Sequence, residues 1–255
     1  KAVIQGIGVL GGFGCGIQDL YKNLNGEPPA GERVEIDTPE GSVLVNGLLA
    51  QTDLLSHFIP KRTLRRMGHH IRVALLAAFS ALKDARMLDS KDRGRMGIIV
   101  ATGYGSTTNN YDFQNLSNGE SEFIGSPTVF INSVHNAAAA YISIALGENG
   151  PNHTVSHYDM SFPAAVLSAI QWLREDRVDS VLVGAVDDFS KARAFDLYSQ
   201  NQGSDKKSHP CSANDSNSLK VGEGACFFVL SKNHGKYSEY GFIDHVKLGR
   251  RNHQQ

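Results

Sequence analysis

Three side chains capable of acid–base or nucleophilic chemistry, His157, Asp159 and Ser161, lie close together in the sequence. The run 153–158 predicts a short β-strand, and the alanine-rich stretch 161–172 predicts a helix that begins immediately afterwards. The free N–H groups and positive end of a helix stabilise an anion, so a strand-to-helix junction is a place where enzymes hold a nucleophile. The sequence therefore offers these three residues as candidates for nucleophilic or acid–base catalysis.

Asp159 also has a simpler structural interpretation. A carboxylate at the start of a helix can accept hydrogen bonds from the first free N–H groups and act as an N-cap. Ser161 is not in a G-x-S-x-G motif, which argues against a serine nucleophile of the hydrolase type. We therefore favour the N-cap for Asp159 over a catalytic role.

Two predicted helices have almost no polar face. In residues 162–173 and in residues 137–146 nearly every side chain is apolar or small. Such helices are normally buried on all sides. Both are too short to span a bilayer, so we expect protein to cover them.

Composition indicates one ordinary globular domain, residues 1–255, with 41% hydrophobic and 20% charged residues. A net charge of −1 gives no reason to bind nucleic acid or an anionic membrane. The cysteines Cys15, Cys211 and Cys226 lack metal-type spacing, and their odd number argues against a disulfide framework. No signal peptide and no apolar run of about 18 residues is visible, so we expect a cytoplasmic protein without a membrane span.

The remaining pattern is that of an α/β protein. Gly6, Gly8 and Gly11 formally satisfy a dinucleotide fingerprint, but no second strand ending in an acid follows, so we do not expect a nucleotide there. Further elements are predicted as strands over 1–10, 96–101, 178–186, 221–230 and 241–248, helices over 17–24, 69–86 and 107–116, a hairpin over 34–49 and a loop over 201–217.

Several charged groups could do chemistry or could be structural. Asp187 and Asp188 follow a predicted strand, and a carboxylate pair can exchange protons or bind a metal. His69 and His70 are adjacent on a helix and cannot share a metal on one face, so we interpret them as structural. A basic cluster precedes them: Lys61, Arg62, Arg65 and Arg66. It is either a solvated face or a docking surface.

Two segments carry a resemblance to a known family. The segment G-P-N-H-T-V-S-H-Y-D-M-S, from Gly150, resembles the active-site segment of β-ketoacyl-ACP synthases of the thiolase superfamily, and V-G-E-G-A-C-F-F-V-L, from Val221, is similar to a second motif of that family. In this register the family's nucleophilic cysteine falls on Asp159. From Gly105 to Ser126-Pro127 the spacing agrees with that of the family, and in the segment 130–146 Asn136 matches an asparagine of a further family motif.

The resemblance covers only the amino-terminal half of the family. It implies a thiolase-like α/β fold with a mixed five-stranded sheet and helices on both faces. The second half, which supplies two catalytic histidines in H-G-T and G-H motifs, has no counterpart in this sequence. One flank of the helix 162–173 would then face water, which partner binding or local remodelling must resolve.

The resemblance implies a non-catalytic chain-length factor that pairs with a complete β-ketoacyl-ACP synthase, in a type II polyketide system of the aryl polyene type, without cofactor or metal. The implied acyl-tunnel or interface residues are Thr107, Asn110, Tyr111, Gln114, Ser133, Val134, His135 and Asn136. The basic cluster would help to dock the acyl carrier protein. Two kinds of alternative remain open. Residues 107–116 could form a plain interface helix, with His135 a structural histidine of the interface. The whole protein could instead be an acyl-binding homodimer, or an acyltransferase or hydrolase.

Overall fold

The computed structural model describes residues 1–26, 29, 31–90, 93–110, 127–202, 219–232 and 240–249. The strands are β1 (Ala2–Gly11), β2 (Gly14–Cys15), β3 (Glu32–Thr38), β4 (Gly41–Leu48), β5 (Met96–Thr102), β6 (Asn152–Ser156), β7 (Ser180–Asp187), β8 (Lys220–Gly222), β9 (Gly224–Lys232) and β10 (Phe242–Ile243). The helices are α1 (Ile17–Asn25), α2 (Lys61–Leu64), α3 (His69–Asp84), α4 (Pro127–Ser133), α5 (Ala137–Leu146), α6 (Ser161–Arg174) and α7 (Lys191–Gln202). Two 3₁₀ turns, Asp53–His57 and Tyr158–Met160, complete the set.

A mixed sheet forms the centre of the molecule, in the order β10-β1-β9-β7-β5-β6, with β2 paired to β1. Strand β9 runs antiparallel to both β1 and β7, whereas β5 runs parallel to both β7 and β6. Every residue of β5 is buried, because both of its faces are covered. The predicted class is therefore confirmed, but the described sheet has seven strands rather than five, because the short strands β2 and β10 also pair with β1.

One face of this sheet is covered by α3 and α5. Helix α3 lies so close to β1 that a Cβ added at Gly8 would come within 2.0 Å of the Ala77 carbonyl oxygen, and one at Gly6 within 2.5 Å of the Ala81 carbonyl oxygen. These glycines lie inside a strand rather than in a strand-to-helix turn, so the dinucleotide fingerprint has no structural basis. Their role is to allow close packing between helix and sheet.

The opposite face is covered mainly by α6, which packs on β5, β6 and β7. Ala165, Ala169 and Ile170 are buried against the sheet, but Leu167 on the outer side is 37% exposed. The prediction that this helix is buried on all sides is therefore wrong, and the expected exposed flank is present. The same correction applies to α5, where Ile144 is 75% exposed.

A second, smaller sheet has the order β3-β4-β8, with β3 and β4 forming the predicted hairpin and β8 pairing parallel to β4. Helix α7 packs on it through Ala194. This residue and Ile36 are fully buried, and they form one hydrophobic cluster with Val45 and Val221. Neither α7 nor β8 was expected from the sequence.

Other expectations have mixed outcomes. The last strand is only β10, much shorter than 241–248. Helix formation from residue 107 is confirmed up to residue 110, while Tyr111, Gln114 and most of the predicted loop 201–217 lie outside the described residues. Among the described helices no single one is long and apolar enough to cross a membrane, and only α4 and α5 together, bent by 102°, meet the length and composition.

Candidate functional site

The turn between β6 and α6 is held by Ser161. Strand β6 ends at Ser156, earlier than predicted, and a 3₁₀ turn at Tyr158–Met160 separates it from the helix. The Ser161 hydroxyl accepts a hydrogen bond from the His157 N–H at 2.7 Å and donates one to the Tyr158 carbonyl at 2.6 Å. Tyr158 has a φ of 47°, in the left-handed region that costs an ordinary residue about 1–2 kcal/mol.

Asp159 is exposed on this turn, and the N-cap predicted for it is wrong. The residue at the cap position of α6 is Met160, and no side chain makes a cap hydrogen bond there. The inserted 3₁₀ turn moves Asp159 away from the first free N–H groups, and Ser161 ties the turn instead. Asp159 nevertheless directly precedes a helix whose inner side is buried in the core.

The chemistry available at this turn is limited by these bonds. A serine nucleophile needs a base to take its proton. The Ser161 proton is directed to the Tyr158 carbonyl oxygen, which is not a base, and the His157 contact to Ser161 is through the main-chain N–H rather than the imidazole. The arrangement positions the turn but does not activate Ser161.

Asp187, at the end of β7, fixes the loop that follows β5. Its carboxylate accepts hydrogen bonds from the Thr102 hydroxyl at 2.7 Å, from the Gly103 N–H at 3.0 Å and from the Tyr104 N–H at 3.1 Å. A carboxylate with this many donors is fully occupied by its own chain. Asp187 thus has a structural role in holding this loop.

Glu223 ties three further segments together between β8 and β9. One carboxylate oxygen accepts the Ala50 N–H at 2.8 Å and contacts Nε2 of His69 at 2.7 Å, and the other accepts the Phe189 N–H at 2.8 Å. The hydrogen bond to Glu223 raises the pKa of His69 above its usual value. Burial pushes the pKa of Glu223 up, but the bonds from His69 and Phe189 outweigh it, so that pKa is lowered.

His70 and Asp188 form a buried pair beside this network. Nδ1 of His70 lies 3.4 Å from Oδ1 of Asp188, and both side chains are almost completely buried. Within the described part of the chain no group of three histidine, cysteine or acidic side chains has a metal-binding arrangement. His69 and His70 therefore contact two different carboxylates, in keeping with their structural interpretation.

The implied tunnel residues are placed around the loop after β5. Thr107 and Asn110 are half-buried at the start of a helix. His135 is exposed, and its ring lies against the loop, since a Cβ added at Gly105 would come within 2.8 Å of its Nε2. Asn136 is exposed, Val134 packs against the core, and Ser133 is buried with its hydroxyl donated to the Phe130 carbonyl.

The basic cluster is a continuous exposed surface. It consists of four residues on α2 and just after it, Lys61, Arg62, Arg65 and Arg66. Their side chains make no ion pair with any described carboxylate. Main-chain hydrogen bonds of this helical turn join Arg65 to Lys61 and Arg66 to Thr63, and the Arg66 carbonyl also accepts the Asn132 side-chain amide at 3.0 Å. The cluster is thus free to attract an acidic partner.

Within the part of the chain that the structure describes, strand β6 leaves one edge of the central sheet open, a feature that sequence reasoning missed. Among those residues it pairs only with β5, and the Ile98 N–H bonds to the Pro151 carbonyl at 2.9 Å. In the parallel register, Thr154 lies opposite Val100 and directs its own N–H and C=O away from β5. An unpaired edge of this kind is a template for another strand.

A groove of about 460 Å³ lies on the α6 side of the sheet, between α1 and the ends of β7 and β9. Its lining includes Phe13, Leu20, Ala185 and Cys226. Burial raises the pKa of the Cys226 thiol to about 11, so this cysteine is unreactive near neutral pH. The groove is mainly apolar and belongs to the incompletely covered face.

Comparison with solved structures shows the fold. The ishigamide ketosynthase/chain length factor superposes with a TM-score of 0.71 at 21% identity, covering 93% of this chain and 64% of that one. The ketosynthase ApeO in complex with its chain length factor ApeC, from Xenorhabdus doucetiae, superposes with a TM-score of 0.59 at 18% identity, covering 91% and 79%. A type II acyl-carrier protein in complex with its ketosynthase, AntDE:AntF, gives 0.68 at 20% identity, with 92% and 63% covered.

Sequence comparison shows the family. The chain is 27% identical over 247 residues to a putative polyketide β-ketoacyl synthase 1 of Streptomyces halstedii and 25% identical over 253 residues to a putative mitochondrial 3-oxoacyl-[acyl-carrier-protein] synthase of Schizosaccharomyces pombe. In both cases 91% of this chain is covered but only 58% of the relative. The model of the β-ketoacyl synthase N-terminal domain matches residues 18–235. The chain therefore belongs to the β-ketoacyl synthase family, in the part that corresponds to its N-terminal domain.

Proposed function

We propose that this chain is a non-catalytic, chain-length-factor-like subunit that forms a heterodimer with a complete β-ketoacyl-ACP synthase. In this role residues 1–255 act as one N-terminal-type domain and contribute a wall of the acyl tunnel. The synthase supplies the nucleophile and the histidines. The system is a type II polyketide synthase of the aryl polyene class, consistent with the fold likeness to the ApeO–ApeC complex.

The observation that carries the proposal is the open edge of β6, which leads directly into the turn at Asp159. Thr154 offers an unpaired N–H and C=O to a strand from another chain. Close to that edge in the sequence, Phe130, Ile131 and Ile144 on α4 and α5 expose apolar surface. Apolar surface next to unpaired main chain is typical of a subunit interface.

The geometry of the turn favours a partner role over the enzyme alternative. In the family register Asp159 stands where the nucleophilic cysteine would be, and a carboxylate cannot form the thioester that this cysteine forms. The Ser161 hydroxyl donates to a main-chain carbonyl, so no described base activates it. The homodimer alternative uses the same open edge and differs only in the identity of the second chain.

Two further surfaces receive roles under this proposal. The exposed basic cluster at 61–66 helps to bind the acidic acyl carrier protein, which is consistent with the likeness to a carrier-protein complex. His135, Asn136, Thr107 and Asn110 face the subunit interface and border the tunnel, and the proposal assigns the same role to Tyr111 and Gln114, which lie outside the described residues. Ser133 and Val134 support them from within the chain.

The test is co-expression with the β-ketoacyl-ACP synthase encoded beside this chain, followed by size-exclusion chromatography with light scattering. A one-to-one complex is expected. Thr154→Pro removes the outward N–H without removing a bond to β5, so it should abolish the complex. Thr154→Val keeps the N–H and should preserve it.

Two results would contradict the proposal. The first is a wild-type chain that elutes separately from the synthase. The second is a covalent adduct, seen by mass spectrometry, when the isolated chain is incubated with acyl-ACP, because that adduct would show an acyl-transfer enzyme. Equal binding by Thr154→Pro would reject β6 as the contact strand.

A further inference from the structure

Tyr158 is an exposed aromatic residue on a strained main chain. It is 69% exposed, although tyrosine usually covers much of its ring, and its φ of 47° is unfavourable for a bulky side chain. Such strain persists only where neighbouring groups enforce it, and it is concentrated at functional positions. Glycine would adopt the same conformation without strain.

Two sets of contacts hold Tyr158 in place. Behind it, Ser161 bonds to the main chain on both sides of the residue, at 2.7 and 2.6 Å. Below it, the ring meets Tyr104 edge to face, with 5.8 Å between centroids. Tyr104 is itself fixed, because its N–H donates to Asp187 and the Arg193 guanidinium lies 4.2 Å above its ring centroid.

The consequence is a large aromatic side chain presented to the outside in one orientation. A side chain that is already ordered loses little conformational entropy when a partner covers it. Exposed tyrosines of this kind commonly supply much of the binding energy at protein interfaces. Among the described residues none bonds to the Tyr158 hydroxyl, so the group remains available to an acceptor.

The position of Tyr158 relates it to the partner proposed for β6. It follows this edge strand after a single intervening residue, so a chain that pairs with β6 and continues past its carboxyl end reaches the turn that carries Tyr158. We propose that Tyr158 anchors this chain to the synthase subunit by inserting its ring into an apolar pocket that carries a hydrogen-bond acceptor. This inference rests on the proposed heterodimer and adds to it the residue that gives the contact its affinity.

The experiment measures the dissociation constant of the full chain for the neighbouring-gene synthase by isothermal titration calorimetry, together with the thermal midpoint of each variant. Tyr158→Ala and Tyr158→Gly should each weaken binding at least tenfold, whereas Tyr158→Phe should stay within about threefold of wild type. Tyr158→Gly should also keep or raise the midpoint, because it relieves the strained φ. Loss of binding together with preserved stability excludes unfolding as the cause.

Tyr21 provides the matched control. It is 60% exposed and lies on α1, beside β1, which is separated from β6 by three intervening strands in the sheet order. Tyr21→Ala should bind as wild type, and weakened binding by this variant too would overturn the inference. Wild-type affinity in Tyr158→Ala and Tyr158→Gly would overturn it while leaving the heterodimer intact. If the wild-type chain does not bind the synthase, both the heterodimer and the Tyr158 anchor are rejected. If Tyr158→Ala abolishes self-association but not synthase binding, the synthase anchor is rejected, because Tyr158 then contacts a second copy of this chain.

Discussion

The two faces of the central sheet differ in how completely they are covered. On the α3 side, Leu75, Leu76 and Ala77 are almost fully buried, and the glycines of β1 let the helix approach the sheet at main-chain distance. On the α6 side, Leu167 is substantially exposed, and an open groove lies between α1 and the ends of β7 and β9. The α3 face is a closely packed core, whereas the α6 face keeps apolar side chains exposed to solvent among the described residues.

This difference indicates that folding and assembly depend on separate parts of the molecule. Burial of apolar area stabilises the folded chain by about 25 cal/mol per Å², so most of the stability should come from the α3 face. The exposed flank of α6 and the open edge of β6 contribute little to the isolated chain. Substitutions on the two sides should therefore separate into those that unfold the protein and those that alter its contacts with other chains.

The largest effect is expected at Gly8. In Gly8→Ala the new methyl group would meet the Ala77 carbonyl at 2.0 Å and the Ala81 nitrogen at 2.4 Å, so α3 has to move away from the sheet. We expect a loss of about 4 kcal/mol or more in the free energy of unfolding, measured by urea denaturation. Gly222→Ala is the control, because its nearest neighbour, Cβ of Leu48, is at 3.8 Å. Similar stability of the two variants would mean that the α3 face is not closely packed.

A pair of leucines compares the two faces directly. Leu76→Ala removes a side chain that is 1% exposed, and it should cost about 3 kcal/mol through lost burial and the cavity that remains. Leu167→Ala on α6 should cost less than about 1 kcal/mol, because water already reaches that side chain. Both are measured by the same denaturation experiment.

Equal costs for the two leucines would show that the α6 flank is packed in solution. Adding the synthase should change the result for Leu167→Ala only if that flank also becomes buried in the complex. The comparison thus distinguishes a flank that stays open from one that the partner covers.

The core strands could be predicted because their sequences are apolar throughout. Strands β5 and β7 read as nearly continuous runs of small and aliphatic residues, as strands covered on both faces do. Helix α7 was missed because it packs on the smaller sheet, whose strands come from distant parts of the chain. Its pattern has no strong apolar periodicity of its own.

The site could be predicted only in outline. The motif located the β6–α6 junction, but the 3₁₀ turn between strand and helix depends on two hydrogen bonds of Ser161, and these displaced Asp159 from the cap position. The role of Asp187 requires the loop at 102–104 to fold back on the end of β7, which is a tertiary contact. Side-chain types therefore identified the place, and the main-chain path decided what each residue does.

The smallest expected effect concerns the ion pair that joins α3 to the start of β9. Because its hydrogen bond with Glu223 raises the pKa of His69, this pair contributes stability that is fully present below the unfolded value of about 6.5 and is lost as the pH rises through the raised value. The lowered pKa of Glu223 means that the contribution also falls in acid. The midpoint difference between wild type and His69→Gln should shrink by about 1–3 °C from pH 6 to pH 9, a small change because His69 is partly exposed. The control is His57→Gln, at an exposed histidine that precedes the basic cluster in the sequence, and this variant should show no such trend. A pH-independent midpoint difference for His69→Gln would mean that the covered face is held by packing alone.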